Sequence, residues 1–294
     1  MHETIQRIKM IRTGHIEVEG FTLRYHTEGE GQDTLIIGSS VYYPRSFSQN
    51  LRKFLRLHFI DYRGFAEGPE VKLTFETLLD DIEHIRQKLG LIKCIVIGHS
   101  AHGLLALEYA KKYKEHVSHV VIIGMPPHMR PDHVAMAQRN WDESIWPERK
   151  AVFERNMKLM PDEKLNQLPR DQRFLQMNFR NVPKSWYDYN FNSSLLWDGV
   201  KPNPCVLDQM YLRFASEIDI SQGLESFDLP VLLVYGRFEF LVASVHSWDS
   251  LRPKFKDLTV RIFEKSAHSP QYEQPDLFDA ELLKWLKTDK TRNL

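Results

Sequence analysis

The stretch richest in chemistry is Ile95-Val96-Ile97-Gly98-His99-Ser100-Ala101-His102-Gly103-Leu104. A serine between a β-branched run and a helical pattern suits a nucleophile elbow, the sharp strand-to-helix turn that exposes a hydroxyl. Its neighbours must be small where strand and helix nearly touch, and Gly98 and Gly103 meet that need. The helix N-terminus aims backbone N–H groups at a developing negative charge, with the Ala101 N–H as the natural oxyanion donor. The competing reading is a glycine-rich turn whose serine only caps the helix.

A hydrolytic serine needs a base for its proton and a carboxylate to hold that base in the right tautomer. Elbow-type sites take them in the order Ser, acid, His, on loops after late strands. The apolar run 231–235 is followed by Gly236-Arg237-Phe238-Glu239-Phe240, and the run 259–263 by Glu264-Lys265-Ser266-Ala267-His268. Glu239 and His268 therefore fall at the C-terminal ends of consecutive strands, the edge where open α/β sheets place their sites. Either alone reads as a solvated loop residue; both, in this order, point to a site.

Other histidines and cysteines are less informative. His116 and His119 are three apart, but where a helix should end and a strand begin. His128 and His133 show no paired pattern, and spacing indicates no third ligand, so no metal is expected. No glycine-rich nucleotide motif occurs, so no cofactor is expected. Cys94 and Cys205 suggest neither a disulfide framework nor a zinc site, which favours a reducing compartment and a cytoplasmic location. Cys94 reads as core packing.

The elements that must position these residues follow from periodicity. Ile16 and Val18, then Phe21, Leu23 and Tyr25, alternate about Glu19-Gly20 and predict a hairpin. Short β-branched runs at 35–37, 59–60, 94–97, 120–123, 231–234 and 260–262 suit strands buried on both faces of a parallel sheet. Phe75, Leu78, Leu79, Ile82, Ile85 and Leu89 predict a helix, with Gly90 just past its end. Leu104 and its neighbours begin another, and Leu277 to Trp285 mark a last one. Strand alternating with helix implies an α/β fold: a mostly parallel, doubly wound sheet of about eight strands.

That rhythm stops between about residues 125 and 229. The insert has helix-like stretches, no convincing β run and four of the six tryptophans: Trp141, Trp146, Trp186 and Trp197. The expected organisation is a core of 1–124 and 230–294, interrupted by a helical cap of 125–229.

The sequence resembles the α/β-hydrolase fold superfamily, and within it the proline-iminopeptidase-like branch. Asp61-Tyr62-Arg63-Gly64-Phe65 resembles its D-x-R-G-[FY] loop, and the segment from Asp80-Asp81 to Gly90 resembles the helix leading into its nucleophile strand. The segment from His268 to Pro275 resembles its catalytic-histidine segment, including the E-x-P that starts its last helix. The resemblance implies Ser100 as nucleophile, Glu239 as carboxylate and His268 as general base. Four departures stand out: Ile37-Gly38-Ser39-Ser40 replaces the usual His-Gly loop, Glu239 the commoner Asp, Ala267 a glycine, and His102 the second glycine of G-x-S-x-G. The Ser39 N–H remains available as second oxyanion donor, though loss of the histidine is expected to loosen its loop. His102 either packs beneath the sheet, the preferred reading, or hydrogen-bonds near Ser100 as an accessory residue.

Composition narrows the partners. Thirty-nine Lys+Arg balance 39 Asp+Glu, so no basic excess exists to recognise nucleic acid through its phosphates. No apolar run approaches the 18 residues of a membrane span, and the stretch from Met1 to Arg7 lacks the apolar core of a secretory leader. The expectation is a serine hydrolase of a small, largely apolar ester or amide. A proline-iminopeptidase-like aminopeptidase ranks second; it would need acids such as Asp142, Glu143, Asp188 or Asp198 near the serine. A non-catalytic ligand-binding protein of the same fold is the third reading. Oligomeric state is not legible.

Overall fold

The computed structural model describes residues 11–292, with side chains to residue 288; the stretch read above for a leader lies outside them. Eight strands are present: β1 (Arg12–Val18), β2 (Phe21–Glu28), β3 (Gln32–Gly38), β4 (Leu55–Asp61), β5 (Cys94–His99), β6 (Val117–Ile123), β7 (Val231–Gly236) and β8 (Leu258–Phe263). They form one sheet in the order β1-β2-β4-β3-β5-β6-β7-β8. The first two strands make the expected hairpin, with Val18 opposite Phe21. Glu19 and Gly20 both take positive φ, the backbone a two-residue hairpin turn requires. β2 runs antiparallel to β4, and every later pairing is parallel.

Strands β5 and β7 are buried along their whole length, as strands covered on both faces must be. Helix α1 (Phe75–Leu89) starts on the Thr74 hydroxyl, which accepts the Thr77 N–H at 3.1 Å, and ends at left-handed Gly90. Helix α2 (His102–Lys112) follows β5 and buries Leu104, Leu105 and Leu107 against the sheet. β3 and β5 are neighbours, and the chain leaves β3 toward β4 but β5 toward β6, so the two connections run to opposite sides. Sheets of this kind open a crevice at that reversal, beyond the strands' C-terminal ends. Ile37 pairs with Gly98, so Ser39 and Ser100 leave the sheet side by side there.

Between β6 and β7 the regular elements are helical, and no strand occurs among the described residues. The longest are α3 (Pro131–Asp142), α4 (Pro147–Leu159) and α5 (Arg170–Arg180). The first two open on proline, which is preset for the first helical turn. The chain returns to the core through β7 and β8 and ends in α6 (Pro275–Arg292), with Phe278, Leu282 and Trp285 buried. No described helix is long and apolar enough to cross a membrane.

Candidate active site

Ser100 sits between β5 and α2 with φ of 56°; the only other described non-glycine residue at positive φ is Glu19 in the hairpin turn. Such a conformation costs of order 1–3 kcal/mol and persists only where its surroundings impose it. Here the Ser100 N–H donates to Ile123 O at 2.8 Å, and its carbonyl accepts the Gly103 N–H at 2.8 Å. A Cβ at Gly98 would lie 2.2 Å from the His102 carbonyl, so strand and helix meet over bare backbone.

The acid and base come from the next loops. Glu239 follows β7, His268 follows β8, and His268 Nδ1 lies 2.6 Å from Glu239 Oε2. The other glutamate oxygen accepts the N–H groups of Leu241 (2.9 Å) and Val242 (3.3 Å), so the carboxylate is fixed by its own turn and the extra methylene is absorbed. Both residues are buried. Burial alone would lower the His268 pKa, but the charge and hydrogen bond of Glu239, with the charge of Glu273, raise it above the ordinary value. The imidazole therefore takes up a proton readily when one is offered.

The loop after β3 lacks the family's histidine, yet it is held firmly. Ser39 Oγ accepts the N–H groups of Val41 (3.2 Å) and Tyr42 (3.1 Å), and Asp61 Oδ1 accepts the Ser40 N–H at 2.7 Å. The expectation of a loosened loop is thus corrected: a hydroxyl and a buried carboxylate do the holding. Asp61 also takes the Arg24 Nε–H at 2.7 Å. Arg63, in the same motif, forks onto Asp81 at 2.6 and 2.8 Å, pinning the loop after β4 to α1.

His102 combines both readings made of it. Its ring is buried among Tyr43, Tyr62 and Phe65, with centroids 5.8, 4.9 and 5.7 Å away. Its Nδ1 lies 3.0 Å from the His99 carbonyl and 2.9 Å from the Tyr43 hydroxyl. Burial lowers its pKa to about 4, against the backbone hydrogen bond, so it is neutral at pH 7 and Nδ1 is the donor. Tyr43 in turn lies 3.3 Å from His99 Nδ1, and His99 Nε2 lies 2.8 Å from the His268 carbonyl. A chain of neutral groups thus runs under the site from α2 to the loop of the base. Sequence reasoning missed His99 and Tyr43, because nothing in spacing marks a residue whose partners are carbonyls and a distant ring.

Ser39, Ser100, His102 and His268 line one cavity of about 420 Å³. Cap residues Phe174, Met177, Trp186, Trp197 and Tyr211 line it too. Trp141 and Trp146 do not: the first packs on Phe153 and Phe240, the second on Phe238. Half of the cap's tryptophans therefore pack away from the cavity, against the loop after β7. Asp142, Glu143, Asp188 and Asp198 are all absent from this lining; the acid on it is Asp208, paired with Arg170 at 2.5 Å.

His116 and His119 lie in a turn and in β6, so they share no helix face. His128 and His133, expected to be unpaired, stack instead, with centroids 3.7 Å apart and planes 9° from parallel. With Asp132 their ligand atoms lie within 4.8 Å of one another. Parallel rings send their in-plane lone pairs in parallel, so an ion held by both would sit out of both planes. A ring would have to turn before the group could chelate.

A profile described as alpha/beta hydrolase fold matches residues 36–275. The chain belongs to the α/β-hydrolase family. It is 36% identical to the AB hydrolase superfamily protein YclE of Bacillus subtilis (strain 168), over 94% of this chain and 99% of that one. A pimeloyl-[acyl-carrier protein] methyl ester esterase of Aliivibrio fischeri (strain ATCC 700601 / ES114) is 25% identical over 90% of this chain and 97% of its own. Among solved structures, the proline iminopeptidase of Mycobacterium smegmatis superposes with a TM-score of 0.70 at 14% identity, covering 97% of this chain and 100% of that one. That likeness is one of fold, which this α/β hydrolase shares with other hydrolases, and it assigns no branch.

Proposed function

We propose that this α/β hydrolase is a serine hydrolase that cleaves a carboxylic ester or amide of a small, largely apolar substrate through an acyl-enzyme. The observation that carries the reading is the left-handed Ser100 at the switch point, lining one cavity with a His268 that is hydrogen-bonded to buried Glu239. His268 removes the Ser100 proton, Ser100 attacks the substrate carbonyl, and the N–H groups of Ala101 and Ser39 receive the oxyanion. Glu239 holds Nδ1–H and balances the imidazolium charge; water activated by His268 then releases the acid.

The cap makes the specificity. An aromatic and aliphatic roof over a 420 Å³ cavity suits a small or medium apolar group. The ester side is favoured by a relative described as a methyl ester esterase. An aminopeptidase needs a free carboxylate for the substrate's ammonium, and the one acid on the lining already has an arginine. The experiment is a panel of p-nitrophenyl esters of rising chain length set against prolyl arylamides, with Ser100→Ala as control. Ester turnover that falls by about 10⁴-fold or more in the variant is expected. Faster turnover of the prolyl amide would reverse the ranking, and no Ser100-dependent turnover of either would favour a ligand-binding protein.

A further inference from the structure

We propose that Glu273 is a positioning residue for His268, a single carboxylate that ties the loop carrying the imidazole to a strap of the cap. The kinetic part of this proposal rests on the serine-hydrolase reading; the structural part does not. One oxygen of Glu273 accepts the N–H groups of Ala267 (2.8 Å) and Ser269 (3.1 Å), the residues on either side of His268. The other accepts the N–H of Tyr187, which belongs to the cap.

The strap is residues 183–187, and it touches both loops of the site. Its Ser185 carbonyl accepts the His268 N–H at 3.0 Å, and its Lys184 carbonyl accepts the Phe240 N–H, next to Glu239, at 3.2 Å. From the other side buried Arg149 donates to the carbonyls of Pro183 (2.8 Å), Trp186 (2.6 Å) and Tyr187 (2.7 Å). The strap is thus held between a guanidinium and Glu273, and its Ser185 and Trp186 line the cavity. The cap wall and the backbone of the base move together or not at all. A displacement of about 1 Å at such a group costs on the order of 100-fold in rate.

Charge supplies a second, separable effect. The groups facing His268 are Glu239 after β7, His99 at the end of β5, and Glu273. Glu273 itself faces Glu239, Arg149 of α4 and Tyr42 of the loop after β3. Burial of its carboxylate, with the charge of Glu239, raises its pKa to about 7 against the three N–H donors. Its charge raises the His268 pKa. Activity requires neutral His268 and is lost as pH falls through that pKa, so removing the Glu273 charge moves the acid limb to lower pH.

Glu273→Gln and Glu273→Ala in the full chain test this by two readouts. In hydrogen–deuterium exchange, the Ala variant should release the amides of Tyr187, Ala267 and Ser269 together, each about tenfold faster. The Gln variant keeps one accepting oxygen and turns an NH₂ toward a donor, so only one side of the clamp should open. On p-nitrophenyl butyrate, Gln should lower kcat about tenfold, change KM by less than about threefold, and move the acid limb of the kcat/KM profile downward. Unchanged exchange at these amides overturns the clamp, and an acid limb that stays in place overturns the separate effect of charge. If wild type turns over no ester, the hydrolase reading falls, and the exchange readout alone decides whether Glu273 clamps loop to strap.

Discussion

Strand β5 buries all six of its residues, whereas the thirteen residues of α4 bury one, and that one is Arg149. Helix α5 buries none. The sheet is held by apolar area and backbone ladders, and it sets the ends of β3, β5, β7 and β8 against one another. The cap buries Val206, Met210 and Phe214 against the core, and its long helices are held in addition by arginines that reach carbonyls. Arg149 takes three, Arg45 takes those of Leu195, Leu196 and Asp198, and Arg173 takes those of Asn166 and Leu168. Such a region can vary its shape, and so the cavity, away from the strap 183–187, which hydrogen bonds tie to the loops of Glu239 and His268.

The largest effect should come from the sheet. Ile97→Ala empties a fully buried site and is expected to lower stability by about 2–5 kcal/mol, read as a fall in the midpoint of a single denaturation transition. Arg149→Met should cost about 2–3 kcal/mol through carbonyls left unpaired, but locally: proteolysis in the strap 183–187, after α5, should quicken while the core transition barely moves. Should both variants shift the same global transition, core and cap are one cooperative unit and are not held separately. Trp197→Ala widens the roof where it packs on Tyr42, Phe65 and Phe174. It should favour longer acyl chains by about 10- to 100-fold in relative kcat/KM and leave the shortest ester almost unchanged. Arg237→Gln breaks an exposed pair with Glu264 and should change stability by less than about 1 kcal/mol, a baseline for the others.

The same contrast explains what could be read beforehand. Runs such as 94–97 and 120–123 announce buried strands because period and residue type both carry the signal. Once those strands are placed, Ser100, Glu239 and His268 fall on one edge by chain order alone. The cap resists such reading, since Arg149 finds its carbonyls more than thirty residues away. His128 and His133 meet across a helix start, five apart, where neither helical nor strand period applies. Glu273 is visible as part of a motif that opens the last helix, yet its partners are amides, which every residue type but proline supplies. Residue identity therefore leaves no trace of the clamp.

The central claim is that Ser100 is a nucleophile activated by His268. A fluorophosphonate probe followed by intact mass and peptide mapping tests it most directly. One adduct per wild-type chain, on Ser100, with none on Ser100→Ala and sharply slowed labelling of His268→Ala, is the predicted result. A native protein that fails to label, or a Ser100→Ala variant that labels as well as wild type, would contradict it.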